Sequence, residues 1–282
     1  MVHNAELREF LRSRRARVQP SVAGPGRRVP GLRREELAAL AGVSVDYYVR
    51  LEQGRNLNPS DAVLDALARA LELDDVERAH LSDLARPPAA RRRRPPRRAQ
   101  RVSVATFQLL ETLDATASPA LVLGRRMDVL AANRIARALI ADFPALAARD
   151  RNYARFVFLD ENARALHPDW AQVAADTVAV LRVDAGRYPD DPDLSALVGE
   201  LSVKSEEFVR WWGDHRVLAR TSGTKRYHHP VVGGLTLTYQ ALTLPEDPDQ
   251  TLFAYTAAPG SPAQNALRLL ELSDPGVRLT EW

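Results

Sequence analysis

Apolar residues in the first 85 positions recur at helical spacing, interrupted by glycines and small polar caps. Leu37, Ala38 and Ala41 form one stripe, and Gly42 ends it because glycine reaches the left-handed C′ conformation without steric cost. Ser44 is placed to cap a second short helix, in which Tyr48 and Leu51 turn toward the first and Gly54 supplies the stop. Ser60 caps another helix, with Val63, Leu64, Leu67, Ala68 and Leu71 along one face. Asp74 or Asp75 opens the last, which runs through Val76, His80, Leu81 and Leu84 to about Ala85. The pattern predicts five helices over residues 1–86, with a helix-turn-helix at their centre.

The helical period stops at Pro87. Residues 87–101 hold seven arginines, four prolines and no acidic residue, which predicts an extended linker. Its arginines suit phosphates or a minor groove, and equally a self-repelling tether. Beyond it, Val104 to Ala115 reads as a helix carrying Phe107, Leu110 and Leu113. Ala120–Leu123 and Val129–Ala131 flank a polar turn with Gly124 and predict a hairpin. Asn133 then caps a helix through Ile135, Ala136 and Leu139. Trp170, Val173, Ala174, Thr177, Val180 and Leu181 trace one helix face. Leu194, Leu197, Val198 and Leu201 trace a second, and Phe208, Val209 and Trp212 a third.

The period then changes to two. Lys225–His229, Leu235–Leu242 and Thr251–Ala257 read as strands, with Gly233-Gly234 as one turn. Leu235, Leu237, Tyr239 and Ala241 alternate with Thr236, Thr238 and Gln240, the mark of a half-buried strand. Two strands, helices, then three strands is the order of a PAS domain, a five-stranded antiparallel sheet with helices over one face. The expected fold class is therefore α+β. An all-α helix-turn-helix domain spans 1–86, the Arg/Pro-rich linker 87–101, a PAS-like domain 102–270 and a C-terminal tail 271–282.

With Tyr48 and Leu51 inward, the second helix of the motif presents Val45, Asp46, Tyr47 and Arg50. Arg50 suits a bidentate bond to guanine, Asp46 a cytosine amino group and Val45 a thymine methyl. Arg33 and Arg34 begin the preceding helix, where a phosphate would meet their charge and free backbone amides. Arg55 follows the stop and can grip the backbone. The candidate DNA-contacting set is Arg33, Arg34, Ser44, Val45, Asp46, Tyr47, Arg50 and Arg55. The bland alternative is an α-hairpin whose arginines are simply solvated.

Leu37-Ala-x-Leu-Ala-Gly-Val-Ser44, Tyr48-x-Arg-Leu-Glu-Gln-Gly54 and Pro59-Ser60 resemble the Cro/C1-type (XRE) helix-turn-helix. Arg28-Val-Pro-Gly-Leu-Arg-Arg-Glu-Glu-Leu-Ala38 resembles the MmyB-like regulators within that group. The resemblance implies that Glu52 bonds to an arginine of the first helix, Arg14 or Arg15, and that Val45, Asp46 and Arg50 face DNA. The stretch from Val18 to Gly31 departs from simpler members. Its Arg27 and Arg28 either add phosphate contacts or are solvated.

Asp169-Trp170, Trp211-Trp-Gly-Asp-His215, Gly223-Thr-Lys-Arg-Tyr-His-His-Pro-Val-Val-Gly233 and Leu235-x-Leu237 resemble the ligand-binding domain of the same family. That implies a small-molecule pocket with a small apolar, fatty-acid-like ligand. Phe156, Phe158, Trp170, Trp211, Trp212 and Tyr239 can line such a pocket or simply pack a core. Arg182, Lys225, His215 and His228 can meet a carboxylate. Lys225 and His215 lead, since they lie in the family-like stretches.

Composition narrows the rest. A chain of 282 residues, 45% of them apolar, can bury two cores. Residues 1–55 carry 11 arginines against six acids, whereas everything after 101 holds 18 basic and 23 acidic residues. A basic half suits a phosphate backbone and an acidic half does not, so two jobs fall to two halves. There is no cysteine, which removes disulfides, thiolate metal sites and cysteine nucleophiles. No run of about 18 apolar residues and no leader pattern is present, so no membrane association and a cytoplasmic location are expected.

Catalysis is not expected, nor any cofactor or metal. His228-His229 and Asp214-His215 are the only suggestive clusters, and neighbouring strand residues face opposite ways. No Gly-rich phosphate loop or G-x-S-x-G elbow occurs. The expected partners are double-stranded DNA carrying an inverted repeat, a second copy of the chain and the small ligand. A rival reading makes the C-terminal half a ligand-free dimerisation or docking module, which exposed Trp211 and Trp212 would favour.

Overall fold

The structure is a computed structural model that describes residues 3–19, 31–55, 58–85, 100–218 and 222–273. Arg27, Arg28 and residues 87–99 of the expected linker lie outside the described residues. The chain forms two units. One comprises residues 1–96, 178–195 and 210–219, and the other 97–177, 196–209 and 220–282.

The first unit contains α1 (His3–Arg17), α2 (Arg34–Leu40), α3 (Val45–Glu52), α4 (Asp61–Ala70) and α5 (Asp75–Ala85). Phe10, Leu11, Leu37, Tyr48, Leu51, Leu67 and Leu81 form its buried core. The sequence signals act as predicted. Gly42 sits at φ +65° after α2, and the Ser44 hydroxyl accepts from the Tyr47 N–H at 3.1 Å. Ser60 accepts from the Val63 N–H at 3.4 Å. Asp74, rather than Asp75, caps α5. Its Oδ1 accepts from the Glu77 N–H at 2.8 Å while Glu77 Oε2 accepts from the Asp74 N–H at 3.3 Å, a capping box.

The rest of the chain forms α6 (Val104–Ala115), β1 (Ala120–Leu123), β2 (Val129–Ala132), α7 (Arg134–Leu139), α8 (Tyr153–Leu159) and α9 (Glu161–Leu166). Then follow α10 (Trp170–Arg187), α11 (Pro192–Lys204), α12 (Glu206–Gly213), β3 (Ser222–His229), β4 (Gly233–Leu244), β5 (Asp247–Thr256) and α13 (Pro262–Ser273). The five strands make one antiparallel sheet in the order β2-β1-β5-β4-β3. Leu235, Leu237 and Tyr239 are buried and Thr236, Thr238 and Gln240 exposed, as the alternation requires. Leu110 of α6 packs with Ala120, Val122, Ala131 and Leu252.

Four details differ from expectation. Gly233 and Gly234 do not form the turn. Pro230–Val232 do, and Gly233 already pairs with His229 at φ +74°. The middle of α10 has no solvent face, because every residue from 173 to 179 is buried. In α12, Phe208 is fully buried but Val209 is 50% exposed, since adjacent residues on a helix lie about 100° apart. Finally, α13 runs across the expected start of the tail at residue 271 and packs against α7 and β4. No described helix is long and apolar enough to cross a membrane.

Candidate functional site

The outward face of α3 is set by its inward one. Tyr48 and Leu51 are buried, which leaves Ser44, Val45, Asp46 and Arg50 exposed and Tyr47 half-buried. Arg33 is exposed at the N-cap of α2, where its backbone N–H donates to Glu36 Oε2 at 2.6 Å. Arg55 is exposed just after α3, with its N–H bonded to the Arg50 carbonyl at 3.0 Å.

Arg34 has an internal partner as well. Its Nε and Nη2 donate to Glu52 Oε2 and Oε1 at 3.1 and 3.2 Å, while about half of its side chain stays exposed. Arg15 of α1 donates to the same Glu52 Oε1 at 3.1 Å and to the Leu32 carbonyl at 2.8 Å. The partner on the first helix is therefore Arg15. Arg14 is turned elsewhere, bonding the His215 carbonyl at 2.7 Å and pairing with Glu77 at 2.8 Å. Burial pushes the Glu52 carboxyl up, but the bonds from Arg34 and Arg15 outweigh that and hold it below its usual range.

In the second unit the polar centre is Lys225 on β3. Its Nζ donates to the Tyr153 hydroxyl at 3.2 Å and lies 5.1, 5.7 and 6.0 Å from the rings of Tyr153, Tyr239 and Tyr255. Burial disfavours the ammonium, yet the phenol oxygens of Tyr153, Tyr255 and Tyr239 outweigh it and hold the amine above its usual range. Burial likewise raises Tyr227 and Tyr255, so at neutral pH these are uncharged O–H donors. His167, whose ring is 5.2 Å from that of Tyr227, is lowered to about 4 by burial and by Lys225 and is neutral too. No carboxylate among the described residues forms an ion pair with Lys225. A cation ringed by hydroxyl donors is chemically suited to an anion's oxygens.

Local structure fixes this arrangement. Asn152 caps α8 through the Arg155 N–H at 3.0 Å and donates to the Arg126 carbonyl at 2.8 Å, which sets where Tyr153 begins the helix. Gly223 lies opposite Tyr239 in the β3–β4 ladder, and a Cβ there would come within 2.9 Å of the Tyr239 ring.

The predicted ligand set divides between the two units. Phe156, Phe158, Trp170, Lys225 and Tyr239 belong to the second. Phe156 packs on Tyr153 with ring centroids 6.0 Å apart, and Phe158 meets Trp170 edge-on at 6.1 Å. Trp170 Nε1 donates to the Val157 carbonyl at 2.9 Å. Trp211, Trp212 and His215 fall in the first unit, as does Arg182. Both tryptophans are half-buried. His228 is exposed and His229 buried, with His229 Nε2 3.0 Å from the Ala138 carbonyl.

Sequence reasoning missed Tyr153, Tyr227, Tyr255 and His167, all of which are buried near this cation. The period of two in β3 places Tyr227 on the same face as Lys225 and was a usable signal. Nothing local marks the other three.

Residues 102–270 match the family model described as the MmyB-like transcription regulator ligand binding domain. Residues 6–81 match a helix-turn-helix domain. A comparison with curated proteins found no match.

Proposed function

The chain belongs to the MmyB-like transcription regulators, and on that premise we propose that a small, fatty-acid-like anion held at Lys225 controls its binding to an inverted-repeat operator. A helix-turn-helix DNA-binding domain and a ligand-binding domain together make a ligand-responsive transcription regulator. Both families are typically non-enzymatic.

The observation that carries the ligand reading is the half-buried Lys225 ammonium among phenols, with no carboxylate paired to it among the described residues. A ligand carboxylate would supply the missing charge, and Phe156, Phe158 and Trp170 would offer apolar surface to its chain. On the DNA side, Arg50, Asp46 and Val45 read base edges, Tyr47 and Ser44 border them, and Arg33, Arg34 and Arg55 meet phosphates. The regulator acts in the cytoplasm as a homodimer, with half-sites about one helical turn (~34 Å) apart. The ligand works only through unequal affinity for DNA-competent and incompetent states.

Native mass spectrometry of the full chain, before and after mild organic extraction, tests this. A small acidic mass that is retained by the wild type and lost from Lys225→Met supports it. A ligand-free dimer that also fails to take up added sodium laurate overturns it and favours the dimerisation-module reading.

A further inference from the structure

Beside Lys225, two deeply buried polar groups of the second unit are left without a partner. His167 follows α9, which packs against β3, and is 1% exposed, yet neither ring nitrogen makes a hydrogen bond among the described residues. Tyr227 is equally buried, and its hydroxyl makes none either. His167 feels the Arg226 backbone and Tyr227 feels Tyr255, but neither contact has hydrogen-bond geometry. The two rings lie 5.2 Å apart, and Tyr227 stands 6.1 Å from Tyr255, whose ring is 6.0 Å from Lys225 Nζ. Buried polar groups normally find partners, and an orphan calls for an explanation. His229, on the same face of β3 as Tyr227, shows the usual outcome, with Nε2 3.0 Å from the Ala138 carbonyl.

What these orphans can bind follows from their chemistry. The neutral His167 imidazole offers one N–H donor and one bare nitrogen acceptor, and the Tyr227 phenol adds an O–H donor. Such a set suits a group that donates and accepts at once, as a hydroxyl does. A carboxylate only accepts, and Lys225 serves it. Lys225 and Tyr227 are alternate residues of one strand, about 6.7 Å apart along it, so two ligand oxygens a few bonds apart reach both. We infer that the ligand is a hydroxy acid, with its carboxylate at Lys225 and a hydroxyl close to that carboxylate held by His167 and Tyr227. The hydroxyl donates to the bare His167 nitrogen and accepts from the Tyr227 O–H. A plain fatty acid leaves both groups unpaired. The inference rests on the anion reading of Lys225 and narrows the class of anion.

The test titrates the full chain with sodium laurate and, separately, with racemic sodium 3-hydroxylaurate, reading bound fractions by native mass spectrometry. An added hydroxyl is well hydrated in water, so a pocket with no partner for it favours laurate. The expected result is that the wild type binds the hydroxy acid at least about tenfold more tightly, because a site built to bond a hydroxyl rejects the analogue lacking it. Tyr227→Phe keeps the ring and removes one oxygen. It should lower that preference at least about threefold and leave laurate affinity within about twofold. Equal binding, or a preference for laurate, in the wild type would overturn the inference, since the orphans then hold no more than a water. The carboxylate reading of Lys225 would survive that result. A preference untouched by Tyr227→Phe would overturn the assignment to this pair. Binding of neither acid would remove the anion reading itself, and the hydroxy acid with it.

Discussion

Arg34 holds Glu52 in a two-point grip, with N–O distances of 3.1 and 3.2 Å, and so ties the start of α2 to the end of α3. Arg15 adds a third bond from α1 at 3.1 Å. The orientation of α3 thus leans on one buried carboxylate. Glu52→Ala should destabilise the domain by about 3 kcal/mol, the lower end for a broken buried pair, because Arg34 can turn to water. Urea unfolding checks this. The folded Glu52 carboxyl sits below its ordinary value of 4.5, so its contribution is full above that pH and is lost as pH falls through the folded value.

Arg50 is exposed on α3 and free to reach a base edge. Arg50→Ala should weaken cognate operator binding by about 1–3 kcal/mol and relax preference at one base position. Fluorescence anisotropy against a panel of single-base operator variants measures it. Uniform weakening across the panel would assign Arg50 to phosphate instead.

His80 is 2% exposed, neither ring nitrogen has a hydrogen bond, and burial lowers it from 6.5 to about 3. The unfolded chain therefore binds a proton that the folded chain refuses. The stability from neutral His80 is complete above about pH 6.5 and declines as pH falls toward 3, at roughly 1.4 kcal/mol per unit. His80→Leu should remove that share of the slope between about pH 6 and pH 5, read from urea midpoints.

Gly223 leaves room for Tyr239, whose ring would stand 2.9 Å from an added Cβ. Gly223→Ala should cost about 1–3 kcal/mol by overpacking and displace Tyr239 from Lys225. Thermal unfolding reads the first effect. Retention of laurate by native mass spectrometry reads the second, and unchanged retention would remove Tyr239 from the ligand site.

The first domain was legible because its information is local. A cap such as Ser44 or Ser60, a glycine at positive φ and a stripe of leucines each act within a few residues. The alternation of Leu235, Leu237 and Tyr239 was legible for the same reason. The helix α8 was not, since Tyr153, Ala154, Phe156, Val157 and Phe158 are all buried and leave almost no polar face to mark a period.

By itself, the sequence determined the helix-turn-helix, the outward residues of α3, the period of the strands and the division of charge between the halves. Only the tertiary structure decided that Arg15 rather than Arg14 serves Glu52, and that Lys225 stands beside Tyr153, 72 residues earlier in the chain. The physical reason is range. Caps and periods are set by neighbours a turn away, whereas a buried charge takes whichever partner the packing of distant elements brings within hydrogen-bond reach.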